Sequence, residues 1–214
     1  MLAKLTLFGE QNTGKTSTLK YLIYLLLQHN ESSIIGMVVS SPGNGKDVYY
    51  PISSLTTTII VNILQQKDCN VTIIMKVNNI ECYISICTGG DTCDRVISNW
   101  KFASAKQCKI FGTEELKEIL ESNIFVSACR KKEEVMSIEQ LKQRKKINDV
   151  TGDANLLYWI RMNANYKFDK VEELDNSEIA KAIFPAHSTS INKLQSMVVA
   201  TLIEKKIYNL IKLL

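Results

Sequence analysis

The stretch GEQNTGKTS, Gly9 to Ser17, constrains the fold of this chain more than any other segment. It fits the pattern of a glycine, four residues of any kind, Gly-Lys, and then a serine or threonine. A phosphate-binding loop of this pattern lies between a strand and a helix, and both flanks fit. Residues 2–8 are short and largely apolar, and residues 15–29 contain no proline or glycine over about four helical turns. The sequence therefore predicts a strand, a phosphate-binding loop and a helix in direct succession.

The residue types of this loop suit phosphate chemistry. Gly9 and Gly14 allow the backbone to curl so that successive N–H groups point at phosphate oxygens, and the N-terminus of the following helix adds partial positive charge. We expect Lys15 to reach the β- and γ-phosphates and the Thr16 hydroxyl to bind Mg²⁺. The expected nucleotide-binding residues are Gly9, Asn12, Thr13, Gly14, Lys15, Thr16, Ser17 and, from a later segment, Gly90.

These residues resemble the Walker A motif of the P-loop nucleoside triphosphatase superfamily. The resemblance implies an α/β fold with a three-layer, mainly parallel sheet that includes an antiparallel hairpin and has helices on both faces. It also implies a single domain over residues 1–214, in which residues 130–214 form a mostly helical C-terminal extension. ATP or GTP is the implied substrate, and Mg²⁺ is the implied cofactor.

A second segment is predicted to face the γ-phosphate. Residues 71–77 and 80–87 are β-rich runs separated by Asn78-Asn79, which predicts an antiparallel hairpin. The second run ends in Thr88-Gly89-Gly90-Asp91, where the glycines permit close backbone approach to a ligand. Asp91 is the predicted acidic catalytic residue, as a magnesium ligand or as the group that orients attacking water. The alternative is a plain turn in which Asp91 caps the next helix.

This hairpin and its Gly-rich end resemble the arrangement in Ras-like GTPases. Cys87 stands where that family has its magnesium-linked aspartate if Gly90 is matched to the family's glycine. The guanine-reading tetrapeptide Asn/Thr-Lys-x-Asp does not occur in the chain, which slightly favours ATP over GTP. Ser127-Ala128 is similar to the family's Ser-Ala element beside the base.

The segment between the first helix and this hairpin has two interpretations. It is polar and threonine-rich, so it is either a mobile segment over the triphosphate, with Thr56, Thr57 or Thr58 as magnesium ligands, or a hairpin around residues 43–45 followed by an edge strand.

The remaining chain is predicted to be helix, strand and then mostly helix. Thr113 is expected to cap a helix, and Ile124 to Cys129 is expected to form a buried parallel strand. A further helix is predicted to begin at Asp153 and to carry Trp159. The tail from Ser188 to Leu214 is predicted to be one amphipathic helix that packs internally or forms a partner or dimer interface.

Residues 130–149 are strongly basic and are predicted to form a charged helix. They are a solvated helix, a lid that neutralises a transferred phosphoryl group, or a nucleic-acid patch. The basic residues are Arg130, Lys131, Lys132, Lys142, Arg144, Lys145 and Lys146.

Composition limits the class of protein. The net charge of +4, from 26 basic and 22 acidic residues, is too mild to indicate nucleic acid as a partner. The six cysteines form no CxxC pair, which favours buried thiols in a reducing cytoplasm. The longest continuous apolar run, residues 21–27, is far below the roughly 20 residues that cross a bilayer, so no transmembrane segment is expected.

Three functions follow from these features. The first is Mg²⁺-dependent nucleoside triphosphate hydrolysis, in the manner of a molecular switch, with Lys15 and Asp91 as the catalytic residues. The second is a small nucleotide or metabolite kinase. The third is an interaction protein controlled by nucleotide binding without turnover.

Overall fold

The structure, a computed structural model, describes residues 3–8, 13–40, 46–90, 92–129, 156–161, 178–184, 186, 188 and 190–214. Nine strands lie in these ranges: β1 (Ala3–Phe8), β2 (Ile34–Ser40), β3 (Asp47–Pro51), β4 (Asn70–Val77), β5 (Ile80–Cys87), β6 (Lys106–Ile110), β7 (Leu116–Ile119), β8 (Ile124–Cys129) and β9 (Leu156–Arg161). The helices are α1 (Lys15–His29), α2 (Thr57–Gln65), α3 (Cys93–Phe102), α4 (Glu178–Ile183) and α5 (Ser190–Ile211), with a 3-10 turn at Ile52–Ser54.

These strands form one mixed sheet in the order β7-β6-β3-β2-β4-β5-β8-β1-β9. The β5–β8, β8–β1, β1–β9 and β3–β6 neighbours are parallel. The β2–β3, β2–β4, β4–β5 and β6–β7 neighbours are antiparallel and pair more residues in total. The prediction of a mainly parallel, three-layer sheet of the P-loop type is therefore wrong.

Short connections explain why so much of the sheet is antiparallel. A parallel neighbour needs a crossover of about a dozen residues or more, whereas an antiparallel neighbour needs only a turn. Residues 41–46 join β2 to β3, and residues 111–115 join β6 to β7. Asn78 and Asn79 join β4 to β5, and their φ angles of 49° and 66° are those of a tight hairpin turn. The predicted hairpin at residues 71–87 is thus confirmed.

Two predicted helices are strands. Thr113 does not cap a helix; its hydroxyl donates to the Ile110 carbonyl in the turn between β6 and β7, and strand pairing with β6 overrides the helix propensity of residues 114–120. The helix expected from Asp153 is also wrong over the described residues, because Leu156–Arg161 form β9 beside β1. This run is rich in aromatic and branched residues that favour strands. The predicted parallel strand at Ile124–Cys129 is confirmed as β8.

Helices pack on both faces of the sheet. One core cluster joins β1, β5 and β8 to α1, α2, α4 and α5, and a second joins the opposite face to α3 through Val96, Ile97 and Trp100. Helices α1 and α3 therefore lie on opposite faces. None of the helices that the structure describes is long and apolar enough to span a membrane.

Helix α5 packs along α1 and is the predicted C-terminal helix. Its residues Ile203, Ile207 and Leu210 are buried in the core, whereas Leu214 is exposed. At the far end of α1, His29 Nδ1 lies 2.8 Å from Oε1 of Glu204, a carboxylate that is almost fully buried. The apolar repeat of this helix therefore serves internal packing, as one of the two sequence interpretations expects.

Candidate functional site

One edge of the sheet carries the ends of the segments predicted to form the site. Strands β1, β5, β8 and β9 are parallel, so their carboxyl ends lie at the same edge. Strand β4 runs antiparallel to β5 and begins at this edge, directly after Asp68 and Cys69. Helices α1 and α3 follow β1 and β5 on opposite faces. In open α/β sheets, ligands bind at such an edge, where successive connections diverge to opposite faces.

Gly14 supplies the backbone conformation from which α1 begins. Its φ of 84° and ψ of 9° lie in the left-handed region, which glycine adopts without strain. The Gly14 carbonyl oxygen accepts hydrogen bonds from the Thr18 N–H and the Thr18 hydroxyl, both at 2.9 Å. The Ser196 hydroxyl of α5 donates to the same oxygen at 3.4 Å. Gly14 therefore has the backbone conformation that favours glycine, whereas Gly9 and Asn12 lie outside the described residues.

Lys15 is turned back toward the loop. Its side chain is only 9% exposed, and its Nζ donates to Thr13 Oγ1 at 3.4 Å. Thr13 and Ser17 are buried as well. The structure thus brings five of the predicted residues, Thr13 to Ser17, together around the N-terminus of α1, where the helix dipole favours an anion.

Thr16 connects this helix terminus to the second predicted segment. Its hydroxyl donates to the Thr88 carbonyl oxygen at 3.4 Å. Thr88 is itself fixed to the start of β4, since its N–H donates to the Cys69 carbonyl at 3.0 Å and its Oγ1 accepts from the Cys69 N–H at 2.8 Å. Strand β8 lies between β1 and β5, so this contact crosses one intervening strand. The end of β5 therefore reaches the first turn of α1.

The two glycines after Thr88 are buried, but the close approach at Gly89 is to the protein itself. A Cβ at Gly89 would lie 2.8 Å from Asp68 Cγ and 2.9 Å from Arg95 Nε. The Gly89 carbonyl accepts a hydrogen bond from Asn99 Nδ2 at 2.5 Å. Gly90 is buried beside it, and Asp91 lies outside the described residues. The N-cap of α3 is Thr92, not Asp91, because the Thr92 hydroxyl accepts from the Arg95 N–H.

Sequence reasoning missed three charged residues at this edge, Lys20, Asp68 and Arg95. Arg95 Nη2 lies 3.8 Å from Asp68 Oδ2. Lys20 is one helical turn beyond Thr16 and 7% exposed; burial lowers the pKa of its ammonium, while Cys69 and Asp68 act in the opposite direction. The spacing of Lys20 after Thr16 is the only sequence signal, since Asp68 and Arg95 meet through the tertiary fold.

Two other predicted contacts have structural roles. Thr56 accepts from the Ile59 N–H at 3.3 Å as the N-cap of α2, and Thr57 and Thr58 lie exposed in the first turn of that helix. The segment before it is the predicted hairpin, β2–β3, but residues 57–65 form a helix instead of an edge strand. Ser127 is buried and its Oγ lies 3.4 Å from Thr6 Oγ1, so it links β8 to β1.

The oxygen donors at this edge fit magnesium that arrives with a nucleotide. Mg²⁺ is usually bound by one or two protein oxygens together with substrate phosphates and water. The Thr16 hydroxyl at the start of α1 is such a donor. Among the described residues, no group of three or more His, Cys, Asp or Glu side chains is placed to bind a metal ion. The basic segment at residues 130–149 lies outside the described residues.

Comparisons of the chain with protein-family models, with curated proteins and with solved structures found no significant match.

Proposed function

We propose that this protein binds a magnesium nucleoside triphosphate through Gly9–Ser17 and hydrolyses it. The observation that supports the proposal best is the Gly14 turn at the start of α1, with Lys15 and Thr16 in the first helical turn and the Thr16 hydroxyl bonded to Thr88. Residues 14–16 at the start of α1 thus lie at the same edge of the sheet as the glycine-containing end of β5.

The role of each group follows from its chemistry. Backbone N–H groups near Gly14 and the N-terminus of α1 would bind phosphate oxygens, and the Lys15 ammonium would neutralise the β- and γ-phosphates. The Thr16 hydroxyl would bind Mg²⁺, which supplies further neutralisation of the phosphate charge. Positioning and electrostatic stabilisation dominate phosphoryl transfer, so these groups provide the expected kind of catalysis. Asp91 stays a prediction as the acidic residue.

ATP is proposed ahead of GTP because the chain has no guanine-reading tetrapeptide. A cytoplasmic location is proposed because Cys69, Cys82, Cys87 and Cys108 are free and buried, as thiols are in reducing compartments. Self-association through residues 188–214 would use the outer face of α5, since its apolar repeat is buried against the rest of the chain.

The test follows the γ-phosphate. Wild-type protein, Lys15→Ala and Lys101→Ala are incubated with Mg²⁺ and γ-labelled ATP or GTP, with and without pooled nucleoside monophosphates. Lys101 is an exposed lysine on α3, so its variant controls for the loss of one positive charge. We expect free phosphate from the wild type and from Lys101→Ala. At nucleotide concentrations below saturation we expect release to be about tenfold or more slower for Lys15→Ala, because a charge-assisted hydrogen bond to the phosphate is removed.

The other outcomes point to other functions. Label that moves onto a monophosphate would replace hydrolysis by kinase activity. Lys15-dependent binding without any release of label would favour an interaction protein controlled by nucleotide. Binding that is equal in wild type and Lys15→Ala would refute the nucleotide site.

A further inference from the structure

The Gly89 backbone lies between two charged side chains, Asp68 and Arg95, which come from different elements of the fold. Asp68 lies in the turn before β4, and Arg95 lies in the first turn of α3. Both come so close to the Gly89 backbone that a Cβ at this position would meet them at 2.8 and 2.9 Å. Arg95 therefore contacts Gly89, the residue that follows Thr88 in the chain. The Thr88 carbonyl oxygen accepts a hydrogen bond from the Thr16 hydroxyl.

The guanidinium of Arg95 is incompletely paired within the part of the chain that the structure describes. Its Nε is buried and has no hydrogen-bond acceptor among the described residues. Its contact with Asp68 is 3.8 Å long, whereas a charge-assisted N–H···O bond is about 2.7–2.9 Å. An arginine can donate five hydrogen bonds in a planar fork that matches a phosphate group. Arg95 thus has donor capacity left for an anion.

Asp68 has a second cationic neighbour on the other face of the sheet. Lys20 of α1 is 7% exposed; burial lowers the pKa of its ammonium, and the charges of Cys69 and Asp68 act in the opposite direction. One carboxylate therefore faces two cations, from α1 and from α3. Lys15 adds a third cation at the same sheet edge. Arg95 therefore shares Asp68 with a second cation, and it can exchange this carboxylate for an anionic ligand.

We propose that Arg95 binds the γ-phosphate of the nucleotide and exchanges its long contact with Asp68 for a phosphate oxygen. This inference rests on the proposed function, because it needs a triphosphate at the N-terminus of α1. Lys15 approaches the phosphates from the loop, whereas Arg95 approaches from the end of β5. The terminal phosphate is the part of the nucleotide that reaches this second side, so Arg95 distinguishes a triphosphate from a diphosphate. When a diphosphate is bound, the Arg95 guanidinium keeps its contact with Asp68.

The experiment compares the affinities of AMP-PNP and ADP, each with Mg²⁺, by isothermal titration calorimetry. The proteins are wild type, Arg95→Gln, Arg95→Lys, Lys15→Ala and the control Lys101→Gln, which removes a charge from the exposed face of the same helix. Thermal denaturation without nucleotide establishes that each variant is folded. We expect Arg95→Gln to weaken AMP-PNP binding about 10- to 100-fold and to change ADP binding less than about twofold. Arg95→Lys keeps the charge without the fork, so we expect an intermediate loss.

Each other outcome overturns the inference. If Arg95→Gln weakens AMP-PNP and ADP binding equally, or weakens neither, Arg95 does not bind the γ-phosphate even though the nucleotide site exists. If Lys101→Gln gives the same selective loss of AMP-PNP affinity, the loss comes from the reduced net positive charge of the protein and not from a contact of Arg95 with the γ-phosphate. If wild type binds neither nucleotide better than Lys15→Ala does, the proposed function fails and the inference fails with it.

Discussion

Replacement of Gly14 by alanine tests whether the start of α1 depends on both its backbone conformation and its contact with α5. The φ of 84° disfavours any residue with a Cβ. The added methyl carbon would also lie 2.9 Å from Ser196 Oγ, which is closer than van der Waals contact. Gly112 offers a matched control, because its φ is 78° and nothing lies within 4 Å of an added Cβ.

The expected magnitudes differ between the two sites. A left-handed conformation costs a residue with a Cβ about 1–2 kcal/mol, so Gly112→Ala should lower the free energy of unfolding by that amount. At Gly14 the Ser196 hydroxyl must also leave its position. It is 1% exposed, and a strained rotamer and a lost hydrogen bond cost about 0.5–1.5 kcal/mol each. We therefore expect Gly14→Ala to lower the free energy of unfolding by about 2–5 kcal/mol.

Urea denaturation followed by tryptophan fluorescence, to which the buried Trp100 contributes, measures both values. Ser196→Ala completes a double-mutant cycle, because it removes the atom that the new methyl group meets. We expect Gly14→Ala to cost about 1–3 kcal/mol less in the Ser196→Ala background, because both Ser196 contributions are already absent there. Equal costs of Gly14→Ala and Gly112→Ala, within about 0.5 kcal/mol, would refute the close packing of α5 against this turn.

Two further substitutions test the structural roles of single side chains. Thr56→Ala should lower the free energy of unfolding by about 1 kcal/mol in urea titrations, because it removes the N-cap of α2. It should leave the magnesium dependence of nucleotide binding unchanged. A changed magnesium dependence would make Thr56 a metal ligand instead. Cys82→Ala should flatten the fall of stability between pH 9 and about 11. Burial raises the pKa of the Cys82 thiol from 9.0 to about 11, so the unfolded chain loses this proton first and the stabilisation, complete below pH 9, is lost as the pH rises toward 11. Urea midpoints at pH 7, 9 and 10.5 measure this, and identical slopes in wild type and variant would contradict it.

Local signals in the sequence predicted the parts of the fold that local chemistry determines. The β4–β5 hairpin follows from two β-rich runs and two asparagines, and both asparagines adopt the positive φ that the turn requires. Strand β1 and helix α1 follow from the apolar runs on either side of the glycine-containing motif. Strand β8 is a short buried run and was predicted for the same reason.

The features of the fold that the sequence did not predict depend on strand pairing and contacts between residues far apart in the chain. Residues 116–119 have the composition of a helix but pair with β6, and residues 156–161 pair with β1. The insertion of β8 between β1 and β5 has no local signature. The antiparallel pairs β2–β3, β2–β4, β4–β5 and β6–β7 overturned the expectation of a mainly parallel sheet. Asp68 and Arg95 are 27 positions apart in the printed sequence and meet only because β4 and α3 both begin near Gly89.

The position of β1 between β8 and β9 has a consequence for synthesis of the protein. Both of its neighbours, β8 and β9, come later in the chain, and Thr6 is 121 residues from its partner Ser127. At a translation rate of about 5–20 residues per second, the ribosome needs roughly 6–24 s to make that intervening chain. During this interval the backbone of β1 has no strand to pair with, and Leu5 and Leu7, both fully buried in the folded protein, lack their final cover. The nascent chain therefore exposes the apolar segment of β1 early in synthesis. A chaperone that binds short apolar stretches would bind this segment during that interval.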